Sequence, residues 1–520
     1  MLLAFAAPAE AGRVVLLGVD GASWSVIDPL LAEGALPHFA ALARDGVSAE
    51  LATVEPVNSP TVWTSIATGR SPEAHGITNF FDTALDRQVP TVFERLAASG
   101  RRVGLYDYLA TWPPPSFSGG FVIPGWTRRD LAVTPGNVFA RAGLAPPYRY
   151  SNDGLHLRAD HLASAREELK RKTPQWLSLA RAFDVEVGAV TFYAVDALSH
   201  RFWRDAFPDQ FEAGGLAPDP ANAGVIREAL VGVDRALGEI RGALGPEDVL
   251  LVASDHGFQA EDGGEARIWT ASLQEPLRAA GLDAERDAFR FVGQFYAVTI
   301  RVLPGPFDER EALTDRLAAA LGALRGAGSG EPLYSVDVLD AAPRPPGRER
   351  TLLQRLRQWG VRQAVWWLFD VEFGTDAHAY LLAQPNPEAL DPLWPGGRVA
   401  GEGGEWPIEA VAAPDDFTGR HHPTAVFLAA GGPILPRAER LQLSVLEIAP
   451  LIAQLAGAPV PDDLERPVPV ALLDPAWLAA HPPQIVPAAS LPAPPRAGEG
   501  DPAAGEEALR ERLRSLGYIR

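Results

Sequence analysis

The chain contains no cysteine. That absence excludes disulfide frameworks, Cys-zinc sites, thiol nucleophiles and iron–sulfur clusters together. It leaves the redox compartment open, because a secreted protein can also lack cysteine. No apolar run reaches the roughly 18 residues that a membrane-spanning helix requires, which argues against a transmembrane segment. Positive charge is also short. There are 46 Lys and Arg against 66 Asp and Glu, a formal net charge of −20. A nucleic-acid-coating role is thereby disfavoured, since phosphate backbones are bound by clustered cations. No internal repeat of fixed period occurs. What is abundant is Gly (49) and Pro (48), which predicts many turns and irregular connections. The 520 residues exceed one simple core and predict two or three domains, or one domain carrying insertions.

The two ends stand apart. Residues 1–11, MLLAFAAPAEA, resemble the last part of a secretory signal peptide, although a basic n-region is missing. Either the start lies upstream or this is a short leader, and the reading favours export or a bacterial periplasm over the cytoplasm. Residues 481–505 are dense in Pro, Ala and Gly and read as a linker. In 506–520, Leu509, Leu513 and Leu516 fall on one side of a helix that Gly517 would stop.

Between the ends, four apolar runs each lead to, or follow, a possible metal ligand. Val14 to Val19 leads to Asp20, Val187 to Val195 to Asp196, and Val249 to Ser254 to Asp255 and His256. Thr424 to Ala430 follows Gly419-Arg420-His421-His422. Continuous Val/Leu-rich runs are the mark of strands buried on both faces. Helical patterns at Leu30 to Arg44, Thr91 to Ser99 and Ile226 to Leu244 alternate with them. The alternation predicts an α/β fold with a mostly parallel sheet, and ligands gather at the carboxyl ends of its strands. The expected organisation is a core in three parts, 12–125, 183–260 and 406–480. A helical insertion at 126–182 and a cap insertion at 261–405 would lie over the ligand-bearing edge. The cap includes strand-like Phe295 to Val302 and a helix around Glu309 to Leu324.

The polar residues at the strand ends carry the chemistry. Asp20 precedes Gly21, which permits a sharp turn. Asp196 and His200 lie four apart, on one face of a helix. With Asp255, His256 and His421 they make three carboxylates and three imidazoles, a donor mix suited to Zn²⁺ and also to Mn²⁺ or Fe. Six ligands exceed one catalytic tetrahedral site and suit two. Upstream, Ser59-Pro60-Thr61 opens a helix over roughly 60–68. Pro60 suits its first position and Ser59 its N-cap, where the positive helix end favours an anion. A metal would lower the serine hydroxyl's pKa. Thr61 is the rival hydroxyl. His75, ahead of Gly76, reads as a packed structural histidine.

Taken in order, these blocks resemble a known family. VVLLGVDGASWSVIDPL, ALPHFAALARDG, NSPTVWTSIATGRSPEAHGI, DALSHRFW, VLLVASDHGF, GRHHPTAVFLAAGGPI and the terminal LRSLGYI are similar to the alkaline phosphatase superfamily. The resemblance is closest to its type I phosphodiesterase / nucleotide pyrophosphatase branch. It implies an alkaline-phosphatase-like three-layer sandwich and a small-molecule phosphoester as substrate. It also implies two divalent metal ions, zinc first with manganese or a mixed pair as alternatives, typically ~3.5–4 Å apart. The family nucleophile falls on Ser59. One metal falls to Asp20, Asp255, His256 and Ser59, the other to Asp196, His200 and His421. The pattern Gly-x-His-x-Pro prefers His421 over His422. A family Asn that contacts phosphoryl oxygens falls on Asn79, one position off the pattern. The implied mechanism is an in-line displacement through a phosphoserine intermediate.

Three alternatives accompany this reading. A phosphomonoesterase shares the constellation. A sulfatase-like hydrolase needs a C/S-x-P-x-R motif, and here Pro60 directly follows Ser59 while position 63 is Trp63. A non-catalytic binding protein would be expected to lose ligands, and all are present. One further stretch stands out. Arg344, Arg348, Arg350, Arg355, Arg357 and Arg362 face a single acid, Glu349, and lead into Val365-Trp366-Trp367-Leu368-Phe369. It reads as a solvated helix or, alternatively, as a lid or membrane-surface contact through 344–369.

Overall fold

The four apolar runs become four neighbouring strands at the centre of an eight-stranded sheet. The structure is a computed structural model that describes residues 12–145, 147–150, 158–211, 218–261, 268–271, 273–284, 286–293, 298–328, 330–346, 348, 350–351, 357–358, 377–394, 396–415, 417–500, 505 and 509. The leader 1–11, most of the 506–520 helix, and Trp366 and Trp367 lie outside the described residues. The sheet contains β1 (Val14–Val19), β2 (Gly46–Ala52), β3 (Val103–Tyr108), β4 (Phe121–Pro124), β5 (Val187–Phe192) and β6 (Val249–Ala253), with Thr424–Ala430 and Leu441–Ser444. Its order is Leu441–Ser444, β2, Thr424–Ala430, β6, β1, β5, β3, β4. All pairings are parallel except those of Thr424–Ala430, which runs antiparallel to β2 and β6.

Every residue of β1, β3, β5 and β6 is buried, which explains why these runs show no polar alternation. Helices cover the sheet through Ile27, Phe39, Trp176, Leu179, Leu230 and Leu237, all buried in one continuous core with Leu17 and Val190. The helix read across Leu30 to Arg44 is two helices, Trp24–Ala32 and Pro37–Asp45, bent by 99°. Gly34 sits at φ +72, a left-handed turn that helical spacing alone does not reveal. Thr91 caps Val92–Ala98 in a reciprocal capping box with Glu94. No single described helix is long and apolar enough to cross a membrane.

The described residues fall into two compact units. One lies within Met1–Asn152, His161–Asp262 and Thr418–Leu509, and the other is chiefly Gly263–Phe417. Most of the long helix Arg158–Ala182 therefore belongs with the sheet, where Leu169, Trp176 and Leu179 join the core. The Pro-rich stretch after residue 481 is not suspended. Ile485–Val486 pairs with Val460–Pro461, and Gly498 N–H donates to Pro113 O at 3.3 Å. Extended Pro-rich chain keeps little internal hydrogen bonding and can lie along a surface, so composition alone cannot separate a packed strap from a linker.

The second unit has its own core. A four-stranded antiparallel sheet, ordered Tyr334–Asp340, Ala379–Pro385, Val298–Val302 and Phe289–Gly293, packs against helix Phe307–Gly322 through Ile300, Leu381, Leu317 and Leu321. Of the strand-like Phe295 to Val302, residues 295–297 lie outside the described residues. The described arginines of the basic stretch are matched locally. Arg344 pairs with Glu311 at 2.6 Å and Asp340 at 3.0 Å, Arg350 with Asp340 at 3.1 Å, Arg348 with Asp308 at 3.4 Å and Arg357 with Asp337 at 2.7 Å.

Packing in the first unit is tight enough to test. A Cβ at Gly104 in β3 would lie 2.7 Å from the Phe121 ring and 2.9 Å from Val185. Gly104→Val is expected to lower unfolding free energy by about 1–3 kcal/mol in urea denaturation while leaving metal content unchanged.

Candidate metal centre

The topology explains how residues distant in sequence reach one edge. Asp20 follows β1, Asp196 follows β5, and Asp255 and His256 follow β6, three adjacent parallel strands ending at the same side. Thr424–Ala430 runs the other way, so the residues before it reach that side. His421 lies there on Gly419–His422, paired with Gly257–Ala260. Asp196 and His200 sit one turn apart on helix Ala194–Ala206. At the Asp20 turn, Gly21 takes φ +71, and a Cβ there would meet Phe258 at 2.7 Å and the Asp196 Cα at 2.9 Å. The turn thus requires glycine for both conformation and space.

The three imidazoles are oriented alike. Nδ1 of His421 contacts Val57 O at 2.9 Å, Nδ1 of His200 contacts Gly419 O at 3.0 Å, and Nδ1 of His256 contacts Gly257 O at 3.2 Å. A carbonyl only accepts, so each Nδ1 carries the proton and each Nε2 presents a lone pair. Those lone pairs converge. His421 Nε2 lies 3.1 Å from His200 Nε2. Asp196 Oδ1 lies 3.4 Å from His421 Nε2, 3.5 Å from His200 Nε2 and 3.9 Å from His256 Nε2. On the other side, His256 Nε2 is 3.2 Å from Asp255 Oδ2 and 3.5 Å from Asp20 Oδ1. Asp255 Oδ2 is buried and accepts no hydrogen bond. Acceptors facing acceptors in a buried pocket repel unless positive charge lies between them. Among the described residues, two overlapping groups have the spacing to hold an ion, Asp20-Asp255-His256 and Asp196-His256-His421. The donor set therefore fits divalent cations.

The proton affinities reflect the same crowding. Burial, then Asp196, push Asp255 up to about 7. Burial, with Asp255 and Asp196, raises Asp20 well above the usual carboxylate range. Burial would also raise Asp196, but His200 and His421 hold it below that range. Burial lowers His200 to about 4 despite Asp196, and lowers His256 well below the imidazole range with His421 contributing. Burial works against charge on His421, yet Asp196 raises its proton affinity above the ordinary value.

Ser59 is fully buried and meets the first group. Its Oγ lies 3.4 Å from both Asp20 Oδ1 and His256 Nε2. It is not the N-cap that the sequence suggested. Asn58 caps helix Ser59–Thr68, its Oδ1 accepting from Thr61 N at 3.1 Å, and Ser59 is the first helical residue with Pro60 second. Because Asn58 supplies the cap, the serine hydroxyl is released from that duty and can face the carboxylates. Thr61 is buried and its Oγ1 forms no hydrogen bond. Asn79 is exposed, and its hydrogen bonds stay within its own turn. Nδ2 donates to Asp82 at 3.0 Å and Oδ1 accepts from Phe81 N at 2.8 Å. The turn is tied to the Ser59 helix through Asn58 Nδ2, which donates to Thr78 O at 2.9 Å. His75 is buried against Ser65 at 2.9 Å, away from the ligand groups.

Two supporting residues were missed in the sequence. Trp63 Nε1 donates to Asp20 Oδ2 at 3.0 Å, leaving Oδ1 turned toward Ser59. Ser254 Oγ accepts from Ala22 N at 2.9 Å and donates to His256 O at 2.6 Å, tying the ends of β1 and β6 together. Trp63 is four residues from Ser59 on one helix, a spacing that was visible. Its partner across the sheet was not.

A mostly parallel sheet, layered by helices and bearing mixed carboxylate and imidazole donors at one edge, defines an α/β protein of the alkaline-phosphatase-like fold. Residues 14–343 match the model of the type I phosphodiesterase / nucleotide pyrophosphatase family, and the chain belongs to that family. It is a phosphoric ester hydrolase of a metal-dependent family within the alkaline phosphatase superfamily. No curated protein matches. Among solved structures, it is similar to phosphonoacetate hydrolase from Sinorhizobium meliloti 1021 in complex with phosphonoformate. That likeness has 16% identity and a TM-score of 0.41, and covers 86% of this chain and 96% of the other. It is also similar to murine ectonucleotide pyrophosphatase / phosphodiesterase 5, at 17% identity and TM-score 0.35, covering 86% of this chain and 95% of that one.

Two outcomes are expected from the site. Trp63→Phe, which keeps the ring but removes the donor to Asp20, should weaken divalent-ion affinity by roughly 10–100-fold in a chelator competition titration. A divalent ion entering the site must displace the protons favoured on Asp20, raised well above the usual carboxylate range, on Asp255, pushed up to about 7, and on His421, raised above its ordinary value. Apparent affinity for added zinc should therefore fall as pH drops through about 7. Calorimetry in buffers of different ionisation enthalpy would measure the released protons.

Proposed function

We propose that the chain is a phosphodiesterase or nucleotide pyrophosphatase in which Ser59 is the nucleophile. Asp20, Asp255, His256 and Ser59 would hold one divalent ion, and Asp196, His200 and His421 the other. Three imidazoles among the donors favour zinc. The observation that carries the reading is the convergence of three Nε2 atoms and three buried carboxylates, with the buried Ser59 hydroxyl 3.4 Å from two of them, Asp20 and His256. When bound, the ions supply Lewis-acid stabilisation of phosphoryl oxygens and lower the pKa of the serine hydroxyl and of water.

The remaining work belongs to the chain. Ser59 opens a ten-residue helix whose positive end favours an anionic phosphoryl group. The hydroxyl proton leaves to water, and Oγ attacks phosphorus. The Oγ–P bond forms as the bond to the leaving oxygen breaks, and that oxygen takes up a proton. Water then cleaves the Oγ–P bond, restoring Ser59 and releasing the phosphate product. Asn58 holds the helix start, Trp63 holds Asp20, and the carbonyls of Val57, Gly419 and Gly257 hold the three rings. Nothing in this arrangement has to reorganise as charge develops, which is the source of electrostatic catalysis.

Ser59→Ala, loaded with two equivalents of zinc, is expected to lose roughly 10³-fold or more in kcat on bis-p-nitrophenyl phosphate while keeping its metal content. Full turnover by this variant would overturn the assignment of the nucleophile. A panel of p-nitrophenyl mono- and diesters, run on the unmodified enzyme, separates the diesterase reading from a monoesterase.

A further inference from the structure

The long helix Arg158–Ala182 carries a charged pair into the core that the chemistry above does not use. Glu168 and Lys172, four residues apart, are completely buried, as is Asp107 of β3. Lys172 Nζ bonds to Glu168 Oε1, to Asp107 Oδ2 at 2.9 Å and to Thr191 O at 2.7 Å. The rings of Tyr193, Tyr150 and Phe192 enclose it at 4.9–5.3 Å. Buried charges of this kind are costly and rarely add net stability. Their placement is informative for what Glu168 does with its remaining capacity. Its carboxylate accepts from Tyr193 N at 3.1 Å and from Ala194 N at 2.7 Å.

Those two N–H groups open helix Ala194–Ala206, which bears Asp196 in its first turn and His200 in its second. The helix has no cap of its own. Tyr193 occupies the N-cap position and makes no side-chain cap bond. We infer that Glu168, held by Lys172, is a positioning residue that caps this helix from a distance and so sets Asp196 and His200 for their metal ion. The inference rests on the two-ion reading above. A carboxylate is suited to the task, because it satisfies two orphan N–H groups and complements the positive helix end at once. A glutamine is not. Either its NH₂ faces the Lys172 ammonium, or it faces the Ala194 N–H, so one bond is lost in each orientation.

The test compares wild type, Glu168→Gln and Glu168→Asp. Glu168→Gln leaves Lys172 paired with Asp107, so no lone buried charge is created by the change. Glu168→Asp keeps the charge but withdraws the oxygens by one methylene, and covers the case in which the first variant fails to fold. In the metal-free proteins, amide hydrogen exchange over residues 193–200 is expected to quicken while the Ser59 helix is unchanged. In zinc titrations, one ion should weaken by about tenfold or more while the other is unchanged. Unchanged exchange and unchanged affinities would overturn the inference. So would exchange that quickens across the whole sheet with equal loss of both ions, the signature of general destabilisation. If wild type itself takes up fewer than two ions, the two-ion reading fails, and the exchange comparison still decides whether Glu168 anchors the helix.

Discussion

Like repels like at the centre of this protein. Three carboxylates and three imidazole Nε2 atoms point into one buried volume, and those of His421 and His200 are 3.1 Å apart. Each imidazole spends its Nδ1–H on a backbone carbonyl, which turns its Nε2 toward the other ligands. Such a cluster is tolerable only with cations or protons inside it, and the raised proton affinities of Asp20, Asp255 and His421 express that need. The surrounding structure serves to keep the ligands from escaping one another. Three carbonyls fix the rings, Trp63 fixes Asp20, and Ser254 joins two strand ends.

A sheet buried on both faces suits this purpose. Its central strands β6, β1 and β5 are in unbroken register, so their carboxyl ends cannot drift apart without breaking many hydrogen bonds together. The single antiparallel neighbour brings His421 to the same edge from the opposite chain direction. The exterior contributes differently. With a net charge of −20, the chain repels anionic esters at long range. The described arginines of the basic stretch are matched by Asp and Glu of their own unit, so they do not reverse that field. Under the two-ion proposal, attraction for a phosphoester comes from the metal centre and the end of the Ser59 helix.

Much of this was legible in the chain. Asp20, Asp196, Asp255 and His256 announce themselves because each follows an apolar run, and a run buried on both faces ends where polarity resumes. The break near Gly34 was not legible, since helical periodicity continues across it and only the backbone angle marks the turn. The N-cap was misplaced by one residue, because Asn58 and Ser59 are both good caps and the choice depended on which side chain the carboxylates needed. Asn79, expected near the phosphoryl group, is held in its own turn by Asp82. Trp63 and Glu168 escaped notice for a shared reason. A tryptophan and a Glu/Lys pair at helical spacing read as core and surface, and their roles exist only through partners 43 and 25 residues away.

The sequence by itself determined the elements and the chemical inventory. Hydrophobic runs specify strands, the polar residues closing them supply candidate ligands, and the lack of cysteine leaves only oxygen and nitrogen donors for a metal. These are local properties, readable wherever side-chain type and spacing decide the outcome. The tertiary structure alone decided orientation. It settled which nitrogen of each histidine faces inward, which oxygen of Asp20 is left for Ser59, and which distant carboxylate caps the helix of Asp196. Each depends on a hydrogen bond between groups far apart in the chain, and the energy of such a bond is set by distance and angle that spacing along a sequence does not encode.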